Sequence, residues 1–148
     1  MLWDIGAGSG SISIEWLLSH PTTEAIGFEA DVERASRAKN NAAALGVDRL
    51  KMVEGRAPAM LHDQPIPNAV FIGGGLSETL LTDLWTRLPA GTRLVVNAVT
   101  LESEVLLAQW QAQKGGSLLR IELAEAAPLG ERRGWKSRYP VVQWIVTL

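Results

Sequence analysis

Three closely spaced glycines near the start of the chain are typical of a turn that binds a nucleotide. They lie in the segment Asp4–Gly10, DIGAGSG, between a short apolar run and a helical pattern. Glycine lets the backbone turn sharply and lets a ligand approach without meeting a Cβ atom, and the amide groups that open the next helix face that ligand. The turn therefore predicts a cofactor-binding segment that consists of Asp4, Gly6, Ala7, Gly8, Ser9 and Gly10.

The spacing of these glycines distinguishes between two cofactors. A dinucleotide fingerprint, G-x-G-x-x-G, requires a third glycine at position 11, where this chain has Ser11. The observed G-x-G-x-G, with Asp4 shortly before it, resembles instead the first motif of methyltransferases that use S-adenosylmethionine (SAM). On the turn alone, another nucleotide or a plain structural turn stays open, so a second site is needed.

Glu29 is the candidate for that second site. It ends the apolar run Glu24–Glu29, which predicts the next strand, and it follows the glycine turn by about 20 positions. A carboxylate there can accept hydrogen bonds from both hydroxyls of a ribose. The alternative is that Glu29 only favours the start of the following helix, but Asp31 already supplies an N-cap, and we therefore predict that Glu29 binds ribose.

The composition is that of one ordinary globular domain. The 148 residues are 47% hydrophobic and 20% charged, with a formal net charge of −2, which predicts a single domain over residues 1–148 and no general attraction to nucleic acid. The chain has no cysteine, and His20 and His62 lack the spacing of metal ligands. We expect no metal and, without a long apolar run or a signal peptide, no membrane segment and a cytoplasmic location.

The first predicted strand is unusually short. Only residues 1–3 precede the glycine-turn segment, whereas a complete domain of this kind has structure ahead of its central strand. We therefore expect an N-terminally truncated domain, which is either a fragment or the carboxyl-terminal part of a longer or bifunctional protein.

Apolar periodicity and capping residues predict alternating strands and helices. The predicted helices are 11–19, 31–46, 77–88 and 101–114. The predicted strands, after the short first one, are 24–29, 50–54, 68–72, 92–97, 118–123 and 141–148. Two final strands with no helix between them indicate an α/β fold with a mostly parallel sheet and an antiparallel C-terminal edge strand. This is the layout of a Rossmann-like class I SAM-dependent methyltransferase.

The segment 124–140, between those final strands, is locally basic in an acidic chain. It carries Arg132, Arg133, Lys136 and Arg138, whose cationic groups can hold carboxylates or phosphates, and Trp135 offers a flat apolar surface. We predict a substrate-binding loop, with a merely solvated hairpin as the alternative.

Four further motifs resemble one family closely. They are EGRAP (54–58), FIGGG (71–75), VVNAVTLES (95–103) and SRYPV (137–141). With the glycine turn, this combination resembles the SAM-dependent precorrin methyltransferase/decarboxylase family of cobalamin biosynthesis, in which the unit is either free-standing or the carboxyl-terminal half of a bifunctional protein. The resemblance runs from the first strand to the last, and the family's segment before the first strand has no counterpart here.

The resemblance implies roles for residues of these motifs. It implies cofactor contacts from Ala30, Gly55, Arg56, Ala57 and Gly73, substrate contacts from Gly74 and Asn97, and a catalytic place at the rim of the site for Glu102. The alternative for Glu102 is that it only complements the dipole of its helix. The family often has an acidic residue at the position of Arg56, so contacts to adenine there would come from backbone groups. A homo-oligomer, by resemblance a tetramer, is also implied.

The reaction that the resemblance implies transfers the methyl group of SAM to carbon-15 of a precorrin, a tetrapyrrole. The acetate side chain at carbon-12 loses carbon dioxide, and S-adenosylhomocysteine (SAH) is left. Such chemistry depends on positioning more than on a strong base, so the lack of a cysteine nucleophile does not exclude an enzyme. Three alternatives stay open: a dehydrogenase, against which Ser11 argues, a methyltransferase that acts on RNA or another substrate, and a non-catalytic SAM-binding module.

Overall fold

Residues 1–148 form alternating strands and helices in the computed structural model. The strands are β1 Leu2–Ile5, β2 Ala25–Glu29, β3 Lys51–Glu54, β4 Ala69–Ile72, β5 Arg93–Ala98, β6 Ser117–Ile121, β7 Ala124–Leu129, β8 Arg132–Ser137 and β9 Val141–Thr147. The helices are α1 Ser11–Ser19, α2 Val32–Ala44, α3 Glu78–Arg87 and α4 Leu101–Lys114, with a short 3₁₀ helix at Ala59–Leu61. Each predicted helix and strand is confirmed, and the bounds differ by no more than two residues.

Side-chain caps determine where three of the helices begin. Asp31, Ser77 and Thr100 precede α2, α3 and α4, and the side-chain oxygen of each accepts a hydrogen bond from the backbone N–H three residues later. Such a bond satisfies an amide group that has no partner within the helix. α1 begins differently, because it follows Gly10 in a left-handed conformation and has no side-chain cap.

The main sheet has seven strands in the order β3-β2-β1-β4-β5-β9-β6. The first five strands of the chain run parallel to one another, and β9 is antiparallel to both of its neighbours, β5 and β6. The predicted sheet, mostly parallel with antiparallel pairing at its carboxyl-terminal edge, is confirmed. The antiparallel strand is the last of the chain, as predicted, and it lies one place inside the outermost strand β6.

Helices cover both faces of this sheet. α3 and α4 pack on one face in a larger core that includes Trp3, Leu84 and Trp144, and α1 packs on the other face with Leu2 and Leu17. The strand order reverses between β1 and β4. In sheets of this kind, ligands bind outside the carboxyl ends of the strands at such a reversal.

The basic segment does not form the loop that the sequence predicts. It forms a separate two-stranded antiparallel sheet, β7 and β8, joined at Gly130 and Glu131. Gly130 has a φ of +61°, which suits the first central position of a two-residue hairpin turn that favours glycine. The prediction of a loop is therefore wrong as regards backbone structure, and the segment has the hairpin structure of the stated alternative.

No helix of the structure combines the length and apolar character that crossing a membrane requires. No group of three or more histidine, aspartate or glutamate side chains is placed to hold a metal ion.

Candidate active site

An open cavity of about 510 Å³ lies at the carboxyl ends of the central strands, where the strand order reverses. Its volume is within the range of small-molecule sites in proteins. Eight of the residues predicted to bind a cofactor or substrate lie in its wall, namely Gly6, Glu29, Ala30, Gly55, Arg56, Ala57, Gly73 and Gly74. The structure thus brings together motifs that are separated by up to 68 positions in the chain.

Five further wall residues were not predicted: Ile5, Phe28, Asp31, Arg34 and Gly75. Ile5 ends β1, and Phe28 directly precedes Glu29, which ends β2, so both positions follow from the same strand ends. Asp31 is the N-cap of α2 and Arg34 belongs to its first turn, and capping of that helix was a sufficient explanation for Asp31. The signal that could have identified them is that α2 starts directly after the strand that carries Glu29.

The three glycines of the turn lack a side chain for different reasons. A Cβ on Gly6 would lie 2.6 Å from the backbone nitrogen of Gly74, and a Cβ on Gly10 would lie 3.0 Å from Cβ of Ala38 on α2. A Cβ on Gly8, in contrast, would meet no atom within 4 Å. Packing of the protein therefore accounts for Gly6 and Gly10, while the space beside Gly8 is free for a ligand.

Glu29 connects the glycine turn to the start of α2. Its Oε2 accepts a hydrogen bond from the backbone N–H of Gly8 over 2.9 Å, and its Oε1 accepts one from the N–H of Asp31 over 3.0 Å. The side chain is buried. An ionised carboxylate has about four lone-pair sites, so two acceptor positions are left for the ribose hydroxyls of the prediction.

Asp4 lies beneath the turn and does not contribute to the cavity wall. Its Oδ2 accepts hydrogen bonds from both the backbone N–H and the hydroxyl of Ser13, over 3.1 and 2.7 Å. Burial raises the pKa of the Asp4 carboxyl above its ordinary value of 3.8, the bonds from Ser13 oppose that rise, and the charge of Glu29 adds to it. Asp4 thus fixes the first turn of α1 under the glycines. Ala7, Gly8, Ser9 and Gly10 also lie outside the wall.

Two further predicted residues follow each other closely in the chain: Asn97 lies near the end of β5, and Glu102 lies at the start of α4. Asn97 is partly buried and accepts a hydrogen bond from Gln143 over 2.9 Å. Glu102 is exposed in the first turn of α4. An acidic residue at that place complements the helix dipole. Neither Asn97 nor Glu102 lines the cavity, and their roles at the substrate stay predictions.

The four cations of the hairpin do not form the single cluster that their spacing suggests. By register, Arg132 and Lys136 lie on one face of the hairpin and Arg133 lies on the other with Trp135. Arg138 pairs with Glu125 over 2.7 Å. The face with Arg132 and Lys136 therefore carries two cations, and the face with Trp135 combines one cation with an exposed aromatic ring.

This strand order, with a glycine turn after β1 and an acidic residue at the end of β2, has the layout of the Rossmann-like fold of SAM-dependent methyltransferases. Within that class, the chain belongs to the precorrin methyltransferase family, because the model of the precorrin methyltransferase domain matches residues 1–148. The predicted fold class and the family resemblance are both confirmed.

Three relatives show how the chain relates to larger proteins. It is 51% identical over 145 residues to the precorrin-6Y C(5,15)-methyltransferase (decarboxylating) of a Sinorhizobium species, and the match covers 97% of this chain and 35% of that protein. It is 29% identical to the cobalt-precorrin-6B C(15)-methyltransferase (decarboxylating) of Salmonella typhimurium, covering 95% of this chain and 74% of that protein. The crystal structure of the C-terminal domain of precorrin-6Y C5,15-methyltransferase from Rhodobacter capsulatus matches with a TM-score of 0.95 and 50% identity, over 99% of this chain and 79% of that one. The chain thus spans about a third of the Sinorhizobium protein.

We expect Asp4→Asn to change how stability depends on pH. Because the pKa of Asp4 is raised in the folded protein, the folded state binds this proton more tightly, and the contribution of Asp4 to stability falls as the pH rises from 3.8 through the raised value. Asparagine keeps an oxygen that can accept both bonds from Ser13 but has no charge. The free energy of unfolding of the wild type, relative to the variant, should be greatest in acid and decline towards neutral pH.

Denaturant unfolding of both proteins at several pH values between about 4 and 7 measures this difference. A difference that stays constant across the range would contradict the raised pKa.

We expect Gly8→Ala and Gly6→Ala to have different effects on stability and on SAH binding. Gly8 has a φ of +57° and an open surrounding, so alanine there should cost about 1–2 kcal/mol of stability from the left-handed backbone and weaken SAH binding at least about tenfold. Gly6→Ala should destabilise more, because its Cβ would also collide with the backbone of Gly74. Thermal unfolding and calorimetric titration with SAH separate the two effects. Normal SAH affinity in folded Gly8→Ala would show that the turn is only structural.

Proposed function

We propose that this chain transfers the methyl group of SAM to carbon-15 of a precorrin and removes carbon dioxide from the carbon-12 acetate side chain. The observation that carries the proposal is the different coverage of two relatives. The match covers 35% of a protein named for methylation at carbons 5 and 15, but 74% of one named for carbon-15 alone. Both names include methylation at carbon-15 with decarboxylation, and this chain resembles a segment of each of the two proteins.

The cavity suits SAM in its size and its polar groups. Glu29 has acceptor positions left for the ribose hydroxyls, and the space beside Gly8 is open on the side where a methionine moiety would pass. The remaining wall, Gly55–Ala57 and Arg34, is left for the adenine base. When bound, SAM supplies an electrophilic methyl group on its sulfonium sulfur.

In the proposed reaction, the residues of the chain orient the two reactants and keep side-chain bulk out of the wall, and none of them acts as an acid or a base. Gly73 and Gly74 place open backbone in the wall next to the strand that ends with Asn97 and Ala98. A substrate ring can approach such a surface closely, because no Cβ projects from it. Orientation of two reactants can supply roughly 7–11 kcal/mol of a barrier, and the conjugated macrocycle itself can accept the electrons that decarboxylation releases. Glu102, at the start of α4, is our candidate for the rim of the site.

The hairpin β7–β8 is the proposed contact for the substrate periphery. β6 runs parallel to β5, since β9 is antiparallel to both, and the chain therefore enters the hairpin from the edge of the sheet at which the cavity opens. A precorrin carries many carboxylates, and guanidinium and ammonium groups bind carboxylates through charge-assisted hydrogen bonds. Arg132, Arg133 and Lys136 have no acidic partner within hydrogen-bond distance, whereas Arg138 is paired with Glu125.

The proposal includes an assembly and a cellular setting. The hairpin exposes Leu129, Trp135 and Tyr139 nearby, and a lone two-stranded hairpin is at best marginally stable in water. Further copies of the chain would cover these side chains, and we therefore propose a homo-oligomer, by resemblance a tetramer. We also propose a cytoplasmic location. We propose a tetrapyrrole rather than a nucleic acid as the partner, because the formal net charge of −2 gives no general attraction to nucleic acid.

Incubation of the purified chain with SAM and a precorrin that already carries the carbon-5 methyl group tests the function directly. We expect a product heavier by one methyl group and lighter by carbon dioxide, with the new methyl group on carbon-15, as mass spectrometry and NMR would report. Binding of SAM without any such product would favour a non-catalytic module, and a new methyl group on a carbon other than carbon-15 would contradict the proposed position.

We expect Glu29→Gln to weaken SAH binding roughly 10- to 150-fold, which corresponds to about 1.5–3 kcal/mol for a hydrogen bond to a charged group. Glutamine keeps the size of the side chain but has no charge and only one acceptor oxygen. Glu33→Gln is the matched control, because Glu33 lies nearby on α2 but outside the cavity wall. Isothermal titration calorimetry compares the three proteins, and equal affinities would disprove ribose binding by Glu29.

We expect the double variant Arg132→Ala/Lys136→Ala to bind precorrin more weakly at low salt, by at most about 30-fold, since exposed ion pairs are worth about 0–1 kcal/mol each. SAH affinity should not change. The difference from wild type should shrink as salt rises, because a Debye length of about 8 Å at physiological ionic strength screens exposed charges. Arg37→Ala/Lys39→Ala removes the same charge from α2, near the opposite edge of the sheet, and should have no effect. If the hairpin variant and this control bind precorrin equally, the substrate is held elsewhere.

A further inference from the structure

Asn97 and Gln143 form a hydrogen-bonded pair between strands β5 and β9. The antiparallel register places the two residues opposite each other, and Gln143 Nε2 donates to Asn97 Oδ1 over 2.9 Å. The neighbours Val96 and Ala98 are buried in the core that α3 and α4 cover. Since side chains alternate along a strand, the amide pair lies on the opposite face of the sheet.

The pair also lies at the edge of the sheet where the cavity opens. The register between β4 and β5 pairs Ile72 with Val96, so Asn97 is level with Gly73, which lines the cavity. Gln143 lies one strand further away. Any effect of Gln143 on a ligand at this place would therefore act through Asn97.

The direction of the hydrogen bond decides what Asn97 offers to a ligand. An amide side chain has one acceptor oxygen and one NH2 group with two donor hydrogens. Gln143 engages the oxygen of Asn97, whereas Nδ2 of Asn97 has no hydrogen-bond partner in the protein. In this orientation the Asn97 oxygen faces Gln143, and the NH2 group of Asn97 is free to donate to a ligand.

We propose that Gln143 is a positioning residue that holds the Asn97 amide so that its NH2 group donates to an acceptor oxygen of the substrate, a carboxylate or a carbonyl. The assignment rests on the proposed function, which supplies a substrate rich in such oxygens. It also explains the polar pair at this place, because its neighbours on the same face, Val95 and Ile145, are apolar and partly buried.

A merely structural pair can be distinguished from an orienting one. For the stability of the sheet, it makes no difference which of the two amides donates, since both carry a donor and an acceptor. For a substrate, the direction is decisive. Gln143→Glu keeps the shape of the side chain but replaces its donor by an acceptor, so Asn97 must turn its amide and donate to Glu, and its oxygen then faces the substrate.

The experiment compares Gln143→Glu with Gln143→Leu in steady-state methyl transfer to precorrin, with SAH titration and thermal unfolding of the same proteins. We expect Gln143→Glu to raise KM for precorrin at least about tenfold and to raise it more than Gln143→Leu, which leaves Asn97 free to turn either way. SAH affinity should stay within about twofold. If Gln143→Glu has the KM of the wild type while Gln143→Leu is impaired, the pair is structural and the assignment is overturned.

The charge that Gln143→Glu introduces is controlled by a double-mutant cycle with Asn97→Ala. If Gln143 acts through Asn97, adding Gln143→Glu to Asn97→Ala should leave KM unchanged, because no amide is left to turn. A further rise in KM in that background would show direct repulsion of the substrate and would overturn the assignment. A wild-type chain that binds SAH but methylates no precorrin would instead overturn the proposed function, and the assignment with it.

Discussion

The close approach of two backbones, at Gly6 and Gly74, is the constraint on which the rest of the site depends. The loops after β1 and β4 leave the sheet side by side where the strand order reverses. A Cβ on Gly6 would lie within 2.8 Å of three backbone atoms of Gly74, and backbone cannot yield as the end of a flexible side chain can. One glycine thus sets the separation of the two loops, and the part of the cavity between them has a shape that depends little on side-chain rotamers.

Two carboxylates then hold the turn around this contact. Glu29 accepts from the backbone of Gly8, and Asp4 accepts from Ser13 beneath it. Burial raises the pKa of Asp4, and the nearby charge of Glu29 adds to that rise, so the placement of the two carboxylates is electrostatically unfavourable. An acid whose pKa is perturbed, as that of Asp4 is, is often found at a functional site, and here Asp4 and Glu29 together order the backbone on which a cofactor would lie.

The features that the sequence predicts well are local. Asp31 and Ser77 cap helices through bonds to residues three positions away, and the glycine turn and Glu29 follow a short spacing along consecutive elements. The features that it does not reveal depend on register between distant segments. The bond from Gln143 to Asn97 spans 46 positions and requires β9 to insert between β5 and β6. The hairpin was only the alternative interpretation of its segment for another reason, because its strands are mostly exposed and show no apolar alternation around Gly130.

The position of the hairpin allows its sequence and length to change without a change in the cavity. β7 and β8 pair with each other and with no strand of the main sheet, yet the chain enters and leaves them through β6 and β9, which are neighbours in that sheet. The two ends of the insertion are therefore adjacent, and pairing of β6 with β9 closes the sheet whatever lies between them. The hairpin can lengthen, shorten or exchange its side chains without moving the strand ends that form the cavity. Such an arrangement lets the surface that we propose to meet a large substrate diverge in evolution, or be exchanged between relatives by design, while the residues around the cavity are inherited unchanged.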